Sequence, residues 1–212
     1  MVQSLNVSGI VNAFRVFRNP SLIIPHLVVD DIRQIDYNKL KQQGVKVMAF
    51  DKDNCLTAPY ENRISAEFEP AWKLCKDTFG HDRVIIVSNS AGTDDDKNHQ
   101  QISVFSVILT LGPPGALGVP VLRHAIKKPG GGGALLERFQ HVAKPREMAM
   151  VGDRLFTDIL FGNLNGTFTV LTRQIISEKG DNAIAARIRR FEHRLLDFLL
   201  KKKVDPPKIV DN

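Results

Sequence analysis

Only two cysteines occur in 212 residues, Cys55 and Cys75, and they show no pairing pattern. That excludes a secreted disulfide scaffold and a Cys-rich zinc site, and it fits a reducing compartment. No acidic residue precedes Asp30, so the ionisable side chains before it are Arg15, Arg18 and His26. No apolar run is long enough to span a bilayer, because Pro20 and Pro25 interrupt the stretch SLIIPHLVV. The histidines, among them His81, His99, His124 and His141, lack metal-ligand spacing such as HExxH. Four glycines from Gly130 to Gly133 are not followed by GK[ST], which excludes a Walker loop.

What is present is ordinary in bulk and uneven in detail. Hydrophobic residues make up 43% and charged residues 25%, enough to bury the core of one α/β domain with appendages. The net charge of +6, concentrated toward the C-terminus, points to an anionic partner: a phospholipid surface, nucleic acid or a phosphorylated substrate. Near the N-terminus Val7, Ile10, Val11, Phe14 and Phe17 recur at helical spacing. Charge follows these apolar residues instead of preceding them, which argues against a secretory signal. Residues 1–40 are therefore expected to form an amphipathic membrane or targeting segment, with a helix packed on its own domain as the alternative. In residues 181–212, Ile184, Ile188, Phe191, Leu195, Phe198 and Leu199 form a second stripe beside Arg187, Arg189, Arg190, Arg194 and Lys201 to Lys203. This basic helix is expected to pack on the core or on an anionic membrane.

Between these ends, residues 41–180 alternate strand and helix signals, which predicts a parallel sheet with crossover helices. Strands are predicted at Lys46–Phe50, Arg83–Val87, Val119–Leu122, Glu147–Val151 and Thr167–Leu171. Helices are predicted at Ala66–Phe79, with Phe68, Trp72, Cys75 and Phe79 on one stripe, and near Ala134–His141. Ligands of open parallel sheets bind beyond the carboxyl ends of strands, so the polar strand tips should meet at one site. The apolar, then Gly- and Pro-rich, segment Ile102–Gly118 fits this plan poorly and is expected to be core.

The strand tips carry the chemistry. DKDNCLT follows the first strand, SNS the second, KKPG lies in a later loop, and GDRLFTD follows the fourth. At these residues the chain resembles the haloacid dehalogenase superfamily of phosphotransferases, over Val45 to about Leu171. The resemblance implies a Rossmann-like parallel sheet with helices on both faces. It also implies Asp51 as nucleophile, accepting the phosphoryl group as an aspartyl phosphate. Asp53 is implied as general acid and then base, Ser88 as a hydrogen-bond donor to the phosphoryl group, and Lys128 as the neutralising cation. Lys128 is preferred over the adjacent Lys127 because it directly precedes Pro129. Mg²⁺ would be held by Asp51, Asp153 and the backbone carbonyl of Asp53, with Asp158 supporting them. Asn54 and Asn89 are expected to contact substrate. Cys55, lacking a placed His partner, reads as a small buried residue.

The gaps after Asp53 and after Ser88 are too short for a large cap domain, so the site should admit a large substrate. Over Phe50–Thr57, Val87–Gly92, Leu122–Gly131 and Val151–Asp158 the chain is similar to the mitochondrial phosphatidylglycerophosphate phosphatases of fungi and plants. That closer resemblance implies hydrolysis of a phospholipid phosphate in cardiolipin synthesis, peripherally, on the matrix side of the inner mitochondrial membrane. It implies no nucleic-acid partner. A capless phosphatase acting on phosphoprotein or nucleic-acid ends is the alternative, and the oligomeric state is left open.

Overall fold

The computed structural model describes residues 14–59, 61, 63–89, 117–122, 126–174, 176 and 183–209. Its frame is a parallel sheet of five strands in the order β1-β5-β4-β2-β3. These are β1 (Leu27–Val29), β2 (Val47–Phe50), β3 (Val84–Ile86), β4 (Met148–Gly152) and β5 (Phe168–Thr172). Every residue of β2 and β4 is buried, as a parallel sheet covered on both faces requires. Successive side chains point to opposite faces. Met48, Phe50, Ala149 and Val151 meet Tyr37 and Leu40 of α1 (Tyr37–Gln42) and Trp72 and Cys75 of α2 (Glu69–Phe79). Val47, Ala49, Met148 and Met150 meet Leu135 and Phe139 of α3 (Gly132–Phe139) and Phe161 of α4 (Leu160–Leu164). The fold is thus the parallel α/β sheet that the alternating pattern predicts, in the Rossmann-like form that the superfamily resemblance implies.

The helix α2 shows how the pattern becomes packing. Phe68, Trp72, Cys75 and Phe79 are all buried on one stripe. Trp72 lies edge-on to Phe50 with ring centroids 5.1 Å apart, and its indole N–H donates to the Leu117 carbonyl at 2.7 Å. Among the described residues of 54–83, the rest are turns, short 3-10 segments and bends around this crossover.

Differences from the sequence reading have local causes. The three long strands agree with expectation to within a residue. Val119–Leu122, expected as a strand, makes only the isolated bridge Ile86↔Val121; Pro120 at its centre has no N–H to donate. The strand β1 lies in SLIIPHLVV, the stretch assigned to the N-terminal segment, and it pairs with β5 at the sheet edge. Pro25 and the brevity of three residues hide it. Of Ile102–Gly118, only Leu117 and Gly118 fall among the described residues, and Leu117 is buried in the core.

The last helix, α5 (Ala183–Lys201), packs Leu196 against Leu155, Ile159, Leu160 and Leu171. Its predicted apolar stripe divides. Leu195 and Leu199 pack against that cluster, whereas Ile188, Phe191 and Phe198 are exposed. Arg189 and Glu192 face inward and are buried.

Candidate active site

The carboxyl ends of β2 and β4 are neighbours in the sheet, and both chains run directly into acidic residues. The Asp51 N–H donates to the Val151 carbonyl at 2.8 Å, which carries the ladder one residue past β2. Beyond β4, Asp153 is followed by a π-helical turn, Leu155–Ile159, that brings Asp158 back over the strand end. Gly152 makes this return possible, because a Cβ there would lie 2.4 Å from the Asp158 carboxylate. The Asp158 Oδ2 accepts the Arg154 N–H at 3.1 Å.

Lys128 enters from the loop before α3 and is buried between two of these carboxylates. Its Nζ donates to Asp51 Oδ1 and to Asp158 Oδ1, each at 2.6 Å. Lys127 is exposed. The Lys128 backbone is fixed by Asn89, whose Oδ1 accepts the Lys128 N–H at 2.7 Å. Asn89 therefore acts here on the lysine loop. The Val87 N–H bonds to the Phe50 carbonyl at 2.8 Å, bringing the buried Ser88 to the same rim of the sheet. Asp53 keeps 29% of its side chain exposed, with Oδ1 2.9 Å from Lys52 Nζ. Asn54 is buried in the left-handed region at φ 63°, and its N–H donates to the Thr57 carbonyl at 2.8 Å, closing the turn after Asp53.

Two participants escape the sequence reading. Arg189 of α5 donates from Nε to Asp153 Oδ2 at 2.6 Å. Glu192, one turn on, accepts from Arg154 Nε at 2.8 Å and from the Leu155 and Phe156 N–H groups at 3.3 and 3.4 Å. In the sequence Arg189 reads as one of the basic residues of the polar face, and Glu192 carries no signal of its own. No feature of a single sequence separates Arg189 from Arg187, Arg190 or Arg194.

Oxygens of Asp51, Asp153 and Asp158 lie within 4.8 Å of one another. Burial raises the Asp51 carboxyl to about 6, with Asp158 adding to the rise and Lys128 opposing it. Burial likewise raises Asp153 to about 8, reinforced by Asp158 and opposed by Arg189. Burial alone would lower Lys128, but Asp158 and Asp51 hold its ammonium above the ordinary lysine range. Three carboxylates are thus matched by two cations, in a cluster of hard oxygen donors. Such a donor set fits a divalent cation, which would supply the missing positive charge. Burial pushes the Cys55 thiol well up, so it is not a thiolate nucleophile.

Residues 7–177 match the family model described as mitochondrial PGP phosphatase. The chain is 39% identical over 206 residues to "Phosphatidylglycerophosphate phosphatase 1, chloroplastic/mitochondrial" of Arabidopsis thaliana, covering 96% of this chain and 56% of that protein. It is 34% identical to a mitochondrial phosphatidylglycerophosphatase of Saccharomyces cerevisiae, covering 92% of this chain and 99% of that one. It is 40% identical to "Phosphatidylglycerophosphate phosphatase 1, chloroplastic" of Chlamydomonas reinhardtii, covering 97% and 73%. The chain therefore spans little more than half the length of the Arabidopsis relative.

Proposed function

We propose that this chain, which belongs to the mitochondrial PGP phosphatase family, hydrolyses phosphatidylglycerophosphate to phosphatidylglycerol and phosphate. The observation that carries the reading is Lys128 lodged between Asp51 and Asp158, with Asp153 beside them, at the carboxyl rim of a parallel sheet.

Asp51 keeps 13% of its side chain exposed, enough for a carboxylate oxygen to meet a phosphate from solvent. That oxygen attacks phosphorus, the bond from phosphorus to the glycerol oxygen breaks, and Asp53 gives its proton to the departing alkoxide. A water then attacks the aspartyl phosphate, Asp53 takes the proton, and Asp51 is regenerated as phosphate leaves. Ser88 and Lys128 bear on the phosphoryl oxygens, Lys128 by its charge. Asp51, Asp153 and the Asp53 carbonyl are the proposed ligands of Mg²⁺, with Asp158 held near them by Lys128. The cation would neutralise charge where a carboxylate approaches an anionic phosphate.

The proposed setting is peripheral, on the matrix side of the inner mitochondrial membrane. Among the described residues no helix is long and apolar enough to cross a membrane. The exposed aromatic and basic side of α5 suits an anionic lipid surface. The direct test is phosphate release from phosphatidylglycerophosphate in mixed micelles, with Mg²⁺ and with chelator, alongside phosphopeptides and 3′-phosphorylated DNA. Asp51→Asn should lower turnover on the order of a thousandfold or more; lipid turnover untouched by it overturns the mechanism.

A further inference from the structure

The helix α5 lies beyond residues 7–177, which the family model matches, yet its inner face reaches the carboxylate cluster. Arg189 and Glu192 are 6% and 0% exposed, while Phe191 and Phe198 of the same helix are 59% and 55% exposed. Hydrophobic burial accounts for the inward Leu195, Leu196 and Leu199, but not for burying two charged side chains while two phenylalanines stay exposed. Nor does a buried ion pair by itself justify the arrangement, since apolar replacements of such pairs are often as stable.

What the inner face touches explains it. Arg189 bonds to Asp153, the residue directly after β4. Arg154, at the start of the π-helical turn, makes no side-chain cap bond to it, so the first N–H groups need partners from elsewhere. Glu192 accepts two of them, together with the Arg154 guanidinium.

We propose that Arg189 and Glu192 are positioning residues that complete the cation site from α5. Arg189 aims the Asp153 carboxylate, and Glu192 pins the turn from which Asp158 returns. Partners that orient a ligating carboxylate typically change metal affinity 10–100-fold when removed. The inference rests on the reading of Asp51, Asp153 and Asp158 as a divalent-cation site.

The test is Mn²⁺ binding to the full chain, free of substrate, by isothermal titration calorimetry. Arg189→Ala should raise the Mn²⁺ dissociation constant roughly 10–100-fold. Arg190→Ala, an exposed neighbour on the same helix, should leave it unchanged. Arg189→Lys restores charge without the guanidinium's directed N–H and should weaken binding by a smaller factor. Affinity within about twofold of the parent in folded Arg189→Ala, even with a lowered Tm, makes the pair merely structural and overturns the proposal. Should Arg189→Ala not fold, parental affinity in Arg189→Lys overturns it equally. A parent chain that takes up no Mn²⁺ sinks the cation-site reading itself, and the inference with it.

Discussion

At Gly152 a hydrogen atom stands where any other residue would place a Cβ against Asp158. Gly152→Ala should therefore push the returning carboxylate off Lys128. Overpacking of this kind costs about 1–3 kcal/mol, and a shift of about 1 Å in a reacting group costs on the order of a hundredfold in rate. Thermal melts and phosphate release read the two effects separately. At this scale the meeting of Asp51, Lys128, Asp153 and Asp158 at one rim was legible, from the polar strand ends and from the motifs that carry the superfamily resemblance. The inward turn of Arg189 and Glu192 was not, because their partners lie some 36–38 residues away in the chain. Asn89, expected to contact substrate, also holds the Lys128 backbone, accepting its N–H at Oδ1.

At the scale of elements, α5 is the informative case. Arg187, Phe191, Arg194, Phe198 and Lys201 recur in steps of four and three, and all are exposed. The Lys202 ammonium lies 5.8 Å from the Phe198 ring centroid. If this stripe meets an anionic bilayer, replacing both rings in Phe191→Ala/Phe198→Ala should weaken binding to anionic vesicles, read by co-sedimentation, on the order of a hundredfold or more, since burying each aromatic side chain is worth about 1.5–3 kcal/mol. Hydrolysis of a soluble phosphomonoester by the same variant should be unchanged. The apolar period of α5 was visible in the sequence, but which residues face inward was not. Burial follows what the sheet's rim offers, and here the rim offers carboxylates and open N–H groups. Strands β2 and β4 were legible from apolar runs and β5 from its β-branched and aromatic residues, whereas β1 is too short to show a period.

At the scale of the whole molecule, His26 ties the first strand to the last described residues. The Thr169 N–H donates to its Nδ1 at 3.1 Å, so its own N–H is at Nε2 and donates to the Pro207 carbonyl at 3.0 Å. Its ring stacks on Phe168 at 5.1 Å. Burial lowers its pKa, outweighing the Pro207 carbonyl, which raises it. A folded-state pKa below the ordinary value of 6.5 means that this clasp contributes fully above pH 6.5 and fades as pH falls through the lowered pKa. Thermal melts at about pH 7.5 and 5.5 should show a smaller acid-induced drop in His26→Asn than in the parent. The variant should also lose about 1 kcal/mol at neutral pH with the Pro207 bond. Neither His26 nor its partners advertise this contact in the sequence, since Thr169 and Pro207 lie 143 and 181 positions away. The overall architecture, by contrast, was readable from the alternation of strands and helices alone. In synthesis, every carboxylate of the cluster leaves the ribosome before the arginine bonded to one of them. A nascent chain halted after β5 would carry all four signature motifs, yet its Asp153 would still await its guanidinium.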